Sequence, residues 1–430
     1  MSALILYAVL FLVLVAISVP IAFALGLSTL VLFTMTDQPL DLFAQRMWTG
    51  LDKFTLVAIP LFILAGELMG GSGILIRLMD FARLMVGRIR GGLLYINILV
   101  SMFFGGINGS AVADTSAVGS MLIKPTTKEY NDPEMAAAVT AASSIVGPII
   151  PPSLPMLIYV FAAANVSVAG MFVAGIVPGI LLGLAMLGVT FWVSRRKKYP
   201  ADNKTYTFRE VIRIVRRFSV AAVLPIIMVA GIVGGVASPT EAGCIGVVYA
   251  LIIGFFVTKE LTVKAVYDAM LRTVVVTAIV MIMVSIGNVA TWWLTIEGVP
   301  MIIGDWFQSI TDNAAMFLFM MVLFYLFVGL FIEQAAAIIM LVPIFAPLAV
   351  NVYGMDPLHF GIFTVLALAI GLITPPVGLC TFISSSIAKV PIQRVFAVQT
   401  PYLLGILVVL LLVAYVPQMY LWVPKLLGVG

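Results

Sequence analysis

One histidine and two cysteines are the only imidazole and thiol groups that this 430-residue chain offers as metal ligands or catalytic partners. A single histidine, His359, excludes a histidine-cluster metal centre, and its expected place near a helix start leaves the predicted core without the histidine that a Ser–His hydrolase or a zinc-dependent intramembrane protease needs. Cys244 and Cys380 lie in apolar stretches with no paired spacing, which reads as packing rather than a disulfide. No G-x-x-x-x-G-K-[ST] pattern occurs, so nucleotide hydrolysis is not the expected power source. Charge is scarce as well, at 10% of residues where a soluble domain carries about 25%. The alternating pattern of a membrane β-barrel is absent. Chemistry by carboxylates alone stays open.

What remains is apolar: 63% of residues, with mean hydropathy +1.19. Apolar stretches fall near 3–33, 54–73, 91–123, 134–165, 168–193, 219–257, 272–298, 314–347, 356–388 and 395–424. Runs of about 20 residues suffice to cross a bilayer, so the expected fold class is an all-α polytopic membrane protein. The first run lacks a basic segment before it and is expected to be a retained span rather than a signal peptide. Pro20 is a candidate break within it.

Two parts of the chain carry the same punctuation at a constant offset of 224 residues. Asp132-Pro133, Gly147 and Pro151-Pro152 match Asp356-Pro357, Gly371 and Pro375-Pro376, and Gly105 matches Gly329. Between them, residues 195–217 hold nine basic residues against Asp202 and Glu210, which the positive-inside rule places in the cytoplasm. Nucleic-acid binding is a poor reading of a basic run between spans. The expected organisation is a first repeat over 1–194, a basic cytoplasmic linker over 195–217 and a second repeat over 218–430. Segment 77–90 carries Arg77, Arg83, Arg88 and Arg90 against Asp80, whereas its counterpart 301–314 carries Asp305 and Asp312 and no base. Segments 34–48 and 258–272 reverse in the same way. Opposite bias in equivalent loops predicts inverted repeats. The charged positions of 77–90 also recur at helical spacing, which suits either a helix in the membrane interface or an ordinary cytoplasmic loop.

Proline removes an N–H and clashes with the preceding turn, so Gly147–Ser153 and Gly371–Gly378 should break their helices and free backbone carbonyls. Such carbonyls, with nearby hydroxyl and amide oxygens, suit a small hard cation. The N-termini of the resuming helices suit an anion. Segments 91–123 and 314–347 are too long for one crossing and carry small or polar centres, which predicts helical hairpins with tips at membrane depth. Their tips should face the breaks, Asn108, Gly109 and Ser110 against the first, Glu333 and Gln334 against the second. Asp114, set among small residues, reads as a cation or substrate ligand or as a structural hydrogen-bonding group. Glu333 has the same two readings. Glu67 and Glu241 are further carboxylates that also fit helix ends or a scaffold.

With these residues in view, the chain resembles the large membrane subunit, the DctM-type M subunit, of tripartite ATP-independent periplasmic (TRAP) transporters. The residues that carry the likeness are Gly109-Ser110-Ala111-Val112-Ala113-Asp114, Ile149-Ile150-Pro151-Pro152-Ser153, Thr374-Pro375-Pro376-Val377-Gly378 and Ile387-Ala388-Lys389-Val390-Pro391-Ile392. Asn108 departs from the serine expected in many such proteins. The resemblance implies an inverted-repeat, elevator-type transporter with two re-entrant hairpins, in a bacterial inner membrane. It implies sodium as the coupling ion, with no organic cofactor. One sodium site would involve Gly105, Asn108, Ser110, Gly147 and Pro151. The other would involve Gly329, Glu333, Gln334, Gly371, Thr374 and Gly378. An organic acid anion (a C4-dicarboxylate, sialic acid or sugar acid) would meet Asn108, Ser110, Asp114, Ser153 and Thr374 between the hairpin tips. The implied partners are a small Q-type membrane subunit, a periplasmic P-type solute-binding protein and membrane lipid. A stand-alone sodium/anion symporter and, remotely, an intramembrane enzyme acting on lipid or peptide are the alternatives.

Overall fold

The computed structural model describes residues 2–163, 166–201 and 205–430. Ala164 and Asn165 at the end of the expected 134–165 helix, and Asp202, Asn203 and Lys204 of the basic stretch, lie outside the described residues. Among the described residues every regular element is helical. Seven helices among the described residues are long and apolar enough to cross a membrane. Helix Val263–Ile296, of 34 residues, shows why: Val274, Val275 and Ile279 in its first half are exposed, while Val289, Ala290 and Trp293 in its second half are buried. A helix apolar on every face finds a partner for each only when lipid covers what protein does not.

Each part of the 224-residue echo has a distinct structural cause. Asp132 and Asp356 are N-caps, their carboxylates accepting from Met135 N–H at 3.0 Å and Leu358 N–H at 2.8 Å, with Pro133 and Pro357 in the first turn, where no N–H is needed. Helices Pro133–Ser143 and Pro357–Gly371 run from these caps to the breaks, and Leu154–Ala163 and Leu379–Ala388 resume beyond them. The Pro151–Pro152 and Pro375–Pro376 bonds are both cis.

Before each broken helix stands a helical hairpin. Helices Gly92–Asn108 and Ala111–Tyr130 form the first. Leu93 N–H donates to the Tyr130 hydroxyl at 3.0 Å, so the second arm ends where the first begins. Helices Ala314–Gly329 and Gln334–Asn351 form the second, where Tyr353 donates to Thr311 O at 2.9 Å and stacks on Phe317.

Several boundaries differ from the sequence expectation. The first apolar run is two helices, Ser2–Ala16 and Ile21–Met35, parted at Ser18 and Pro20. The run 219–257 is also two helices, Phe208–Val233 and one beginning at Pro239, because Gly234, Gly235 and the Ser238 cap intervene. Most of the basic stretch is helical too: Val168–Arg196 runs into it, and Phe208–Val233 starts inside it on a Thr207/Glu210 capping box. The first hairpin's outgoing arm continues through Pro125 to Tyr130. Residues 77–90 are mostly helix, Ile74–Val86, whose Phe81 stacks on Phe218 at 3.7 Å. Its counterpart, expected as a loop, is the helix Val299–Ile310, bent by 116° from the arm that follows.

Candidate substrate and cation site

Glycine pairs bring each hairpin onto its own break. A methyl group on Gly105 would meet Gly147 Cα at 2.7 Å, and one on Gly109 would lie 2.8 Å from Pro152 O and from Leu154 N. In the second half a methyl on Gly329 would meet Leu368 O at 3.1 Å and Gly371 Cα at 3.2 Å, and one on Gly371 would collide with Gly329 O. Backbone approach this close leaves no room for a Cβ on Gly105, Gly109 or Gly371. Gly109, at φ +62°, also makes the left-handed turn between the first hairpin's arms.

At the first tip the polar groups are partly committed. Asn108 Oδ1 accepts from Ser110 N–H at 2.8 Å, while its Nδ2 is buried without a partner. Ser110 caps the outgoing arm, its hydroxyl accepting from Ala113 N–H at 3.4 Å. Ser153 donates to Pro148 O at 2.5 Å and accepts from Met156 N–H at 3.3 Å, so it holds the break and starts the resuming helix. The carbonyls of Gly147, Ile149, Pro151 and Pro152 accept no hydrogen bond from the described residues. Free carbonyls, the Asn108 amide and hydroxyl oxygens converge here, which is a donor set for a small hard cation.

Behind the tip lies a buried polar ladder. Asn97 Nδ2 donates to Thr140 Oγ1 at 2.7 Å, Ser143 donates to Asn97 Oδ1 at 3.1 Å, and Ser101 shares a hydrogen with Ser143 at 2.9 Å. Asp114 faces this ladder beside Ser101 and Ser144. The residue is fully buried and neither carboxylate oxygen has a hydrogen-bond partner. No ion pair among the described residues includes it. An ionised carboxylate so placed needs a countercharge that the protein does not provide.

Small-molecule pockets span roughly 300–1,000 Å³, and a cavity of ≈ 610 Å³ opens on the other face of the same arm. Asn108, Ser110 and Ser116 line one wall, and Gly66, Glu67 and Arg272 line the other. Arg272 Nε donates to Glu67 Oε2 at 2.7 Å. The N-terminal turn of Ala111–Tyr130 adds positive dipole character at Ser110. Asp114 and Ser153 do not line this cavity. Neither does Thr374 or any residue of the second tip, and the expected cleft between the two tips is not where this cavity lies. Arg272 was missed by the sequence reading. The available signal was a single arginine inside a long apolar helix.

The second half is built differently. Gln334 is buried and donates through Nε2 to Val365 O at 2.8 Å. Glu333 is exposed and caps its helix by accepting from Ala335 and Ala336 N–H at 2.9 and 3.2 Å. Thr374 donates to Ile370 O at 2.7 Å, and a methyl on Gly378 would lie 3.3 Å from Thr374 O, so these two close the turn of the break. At the constant offset, Ile338 stands where the first half has Asp114. The two halves share a backbone frame and differ in charge. Glu241 is an exposed capping-box residue with Ser238, and His359 is buried with Nε2 3.0 Å from Ala414 O.

Membrane-spanning helices, two hairpins seated on two broken helices and a largely apolar cavity with a few polar and charged groups beside one tip define the class: a membrane transporter, not an enzyme. The YdaH transporter of Alcanivorax borkumensis has a similar fold, with a TM-score of 0.61 at 16% identity over 88% of each chain. Residues 8–419 match the family described as the tripartite ATP-independent periplasmic transporter, DctM component, and the chain belongs to that family. It is 39% identical to an uncharacterised protein, YgiK, of Salmonella typhimurium over 97% of this chain and 96% of that one. It is 36% identical to the sialic acid TRAP transporter large permease protein SiaM of Vibrio cholerae, over 96% of each. The isethionate TRAP transporter permease protein DctMQ of Oleidesulfovibrio alaskensis is 37% identical, and the match spans 96% of this chain and 64% of that protein. The chain is therefore a multi-pass inner-membrane permease of the TRAP type.

Proposed function

We propose that this permease is the large subunit of a sodium-coupled symporter that imports a small organic acid anion by an elevator movement. The observation that carries the reading is the cavity at the first hairpin tip, walled by Arg272 on one side and by Asn108 and Ser110 on the other. A carboxylate there meets a guanidinium, an unpartnered amide and a helix N-terminus. The cavity lies between Ala58–Gly71 and Val263–Ile296 on one side and the first hairpin on the other, and at its edge Gly66 packs closely on Asn108, a small-residue contact that suits sliding of the hairpin and break past the two helices. Each hairpin is locked to its break through a glycine pair, and this suits movement of the four elements as one body.

Sodium coupling draws support from the first break. There a cation would meet Asn108, the region of Gly105 and Gly147, and carbonyls up to Pro151, with Asp114 supplying nearby negative charge. At the second break the region of Gly329, Gly371, Thr374 and Gly378 is the corresponding candidate. The reading includes a small Q-type membrane subunit and a periplasmic P-type binding protein as partners. The uncovered third of the isethionate permease fits such a small subunit.

The test is uptake by proteoliposomes holding both membrane subunits, with candidate binding proteins added outside. Uptake of a carboxylate should need both the binding protein and an inward sodium gradient. Uptake indifferent to sodium overturns the coupling; uptake indifferent to the binding protein favours a stand-alone symporter.

A further inference from the structure

A second cavity, of ≈ 490 Å³, lies at the end of the molecule that carries the basic stretch. Its walls come from the amphipathic helix Ile74–Val86, from Phe208–Val233 and from the end of the helix at Val257 and Thr258. Four arginines line it, Arg77, Arg213, Arg216 and Arg217, against Asp80 and Glu260. Arg77 reaches Glu260 only at 3.8 Å, and its second terminal nitrogen, Nη1, is buried without a hydrogen-bond partner. Arg213, Arg216 and Arg217 are exposed and form no ion pair among the described residues. Guanidinium groups held around a concavity are geometric receptors for phosphate oxygens.

Apolar walls decide which phosphate. Ile76 is 48% exposed and Val257 54% exposed, and both line the cavity beside the arginines. A free anion has no use for them, whereas an acyl chain does. The positive-inside rule places this end at the cytoplasmic leaflet, where anionic lipid headgroups lie at the depth of an amphipathic helix. We infer that this cavity binds the phosphate headgroup of an anionic phospholipid, with its acyl chains against Ile76 and Val257. Bound there, the lipid would join Ile74–Val86 to Phe208–Val233 and brace the entrance to the first hairpin.

The experiment uses the full chain in neutral detergent and titrates it with phosphatidylglycerol, phosphatidylcholine or inorganic phosphate. Native mass spectrometry reads retained lipid, and the thermal midpoint reads stabilisation. Phosphatidylglycerol should be retained and raise the midpoint, and phosphatidylcholine and phosphate should not. In Arg213→Gln/Arg216→Gln/Arg217→Gln, affinity for phosphatidylglycerol should fall roughly fivefold per arginine removed. The control Arg195→Gln/Arg196→Gln, on the same basic stretch but outside the cavity, should keep it. Equal loss in the control, unchanged retention in the triple variant, or stabilisation by inorganic phosphate equal to that by the lipid each overturns the inference. Because the three arginines are exposed, the triple variant should fold, and an unchanged midpoint without lipid verifies this.

Discussion

Arg272 and Glu67 stand 205 residues apart in sequence, yet the arginine Nε donates to the carboxylate at 2.7 Å across one wall of the cavity at the first hairpin tip. A charge pair this exposed contributes about 0–1 kcal/mol to stability. Its interest lies in competition: a substrate carboxylate entering the cavity offers Arg272 a second partner. Arg272→Gln should leave the fold intact and raise the KM for uptake, since a lost charged hydrogen bond costs about 1.5–3 kcal/mol, or roughly 10- to 150-fold. Glu67→Gln should act in the opposite sense by freeing the guanidinium. Transport kinetics in proteoliposomes decide the matter, and equal impairment by both substitutions would make the pair purely structural.

Glycine contacts make a steric prediction. A methyl at Gly105 meets backbone at 2.7 Å, and one at Gly371 meets the Gly329 carbonyl, neither of which can step aside cheaply. Gly105→Ala and Gly371→Ala should each destabilise by about 1–3 kcal/mol, the cost of overpacking a tight core. Gly188→Ala, in the helix Val168–Arg196 with nothing within 4 Å, should be neutral or gain about 0.5–1 kcal/mol. Thermal midpoints in detergent separate the two classes. No difference between Gly105→Ala and Gly188→Ala would contradict the seating of hairpin on break.

Asp114 yields a prediction about sodium that does not depend on substrate. Its two oxygens are buried and unpartnered, so an uncharged isostere removes a desolvated charge. Asp114→Asn should therefore keep or raise the thermal midpoint without sodium, while the rise produced by sodium in the unaltered protein shrinks or vanishes. Should sodium stabilise both equally, Asp114 has no part in cation binding. Ser110→Ala should lower stability by about 1 kcal/mol through the lost helix cap, and reduce uptake as well.

Much of this arrangement was legible because the echo consists of residues with few physical uses. Asp-Pro begins a helix, Gly permits contact between backbones, and Pro-Pro ends a helix, so their repetition outlined both broken helices and set Gly105 and Gly329 at equivalent places in the segments before them. Side-chain direction was less accessible. The pattern around Asp114 does not say which face of its helix meets the cavity, and the structure turns it towards Ser101 and Ser144 instead. Glu333 and Gln334, adjacent and both polar, diverge: one becomes an exposed cap, the other a buried donor to Val365. Arg272 and Glu67 were invisible as a pair because nothing local joins residues from opposite halves of the chain. The amphipathic helix Val299–Ile310 was hidden by its acidic charge, which reads as a loop once compared with the arginine-rich segment opposite.

Asp132 links the first broken helix to the basic stretch, and this gives a pH prediction. Its Oδ1 accepts from Met135 N–H at 3.0 Å, and its Oδ2 accepts from Lys197 Nζ and from the Tyr199 hydroxyl. Burial alone would raise the pKa, but the hydrogen bonds from Lys197, Tyr199 and Met135 together hold it below the ordinary value of 3.8. A carboxylate with a depressed pKa stabilises the fold fully above its unfolded pKa, and that stabilisation is lost as pH falls through the folded value. Asparagine at an N-cap is as good as aspartate, so Asp132→Asn removes the charge and spares the cap. The substitution should cost roughly 1 kcal/mol near neutral pH, the upper end for a pair whose lysine is half-exposed. Below about pH 4 the unaltered protein should lose this advantage, and the two melting midpoints should converge. Midpoints measured from pH 3 to 8 provide the check, and a constant gap across that range would show that the charge of Asp132 does not support the fold.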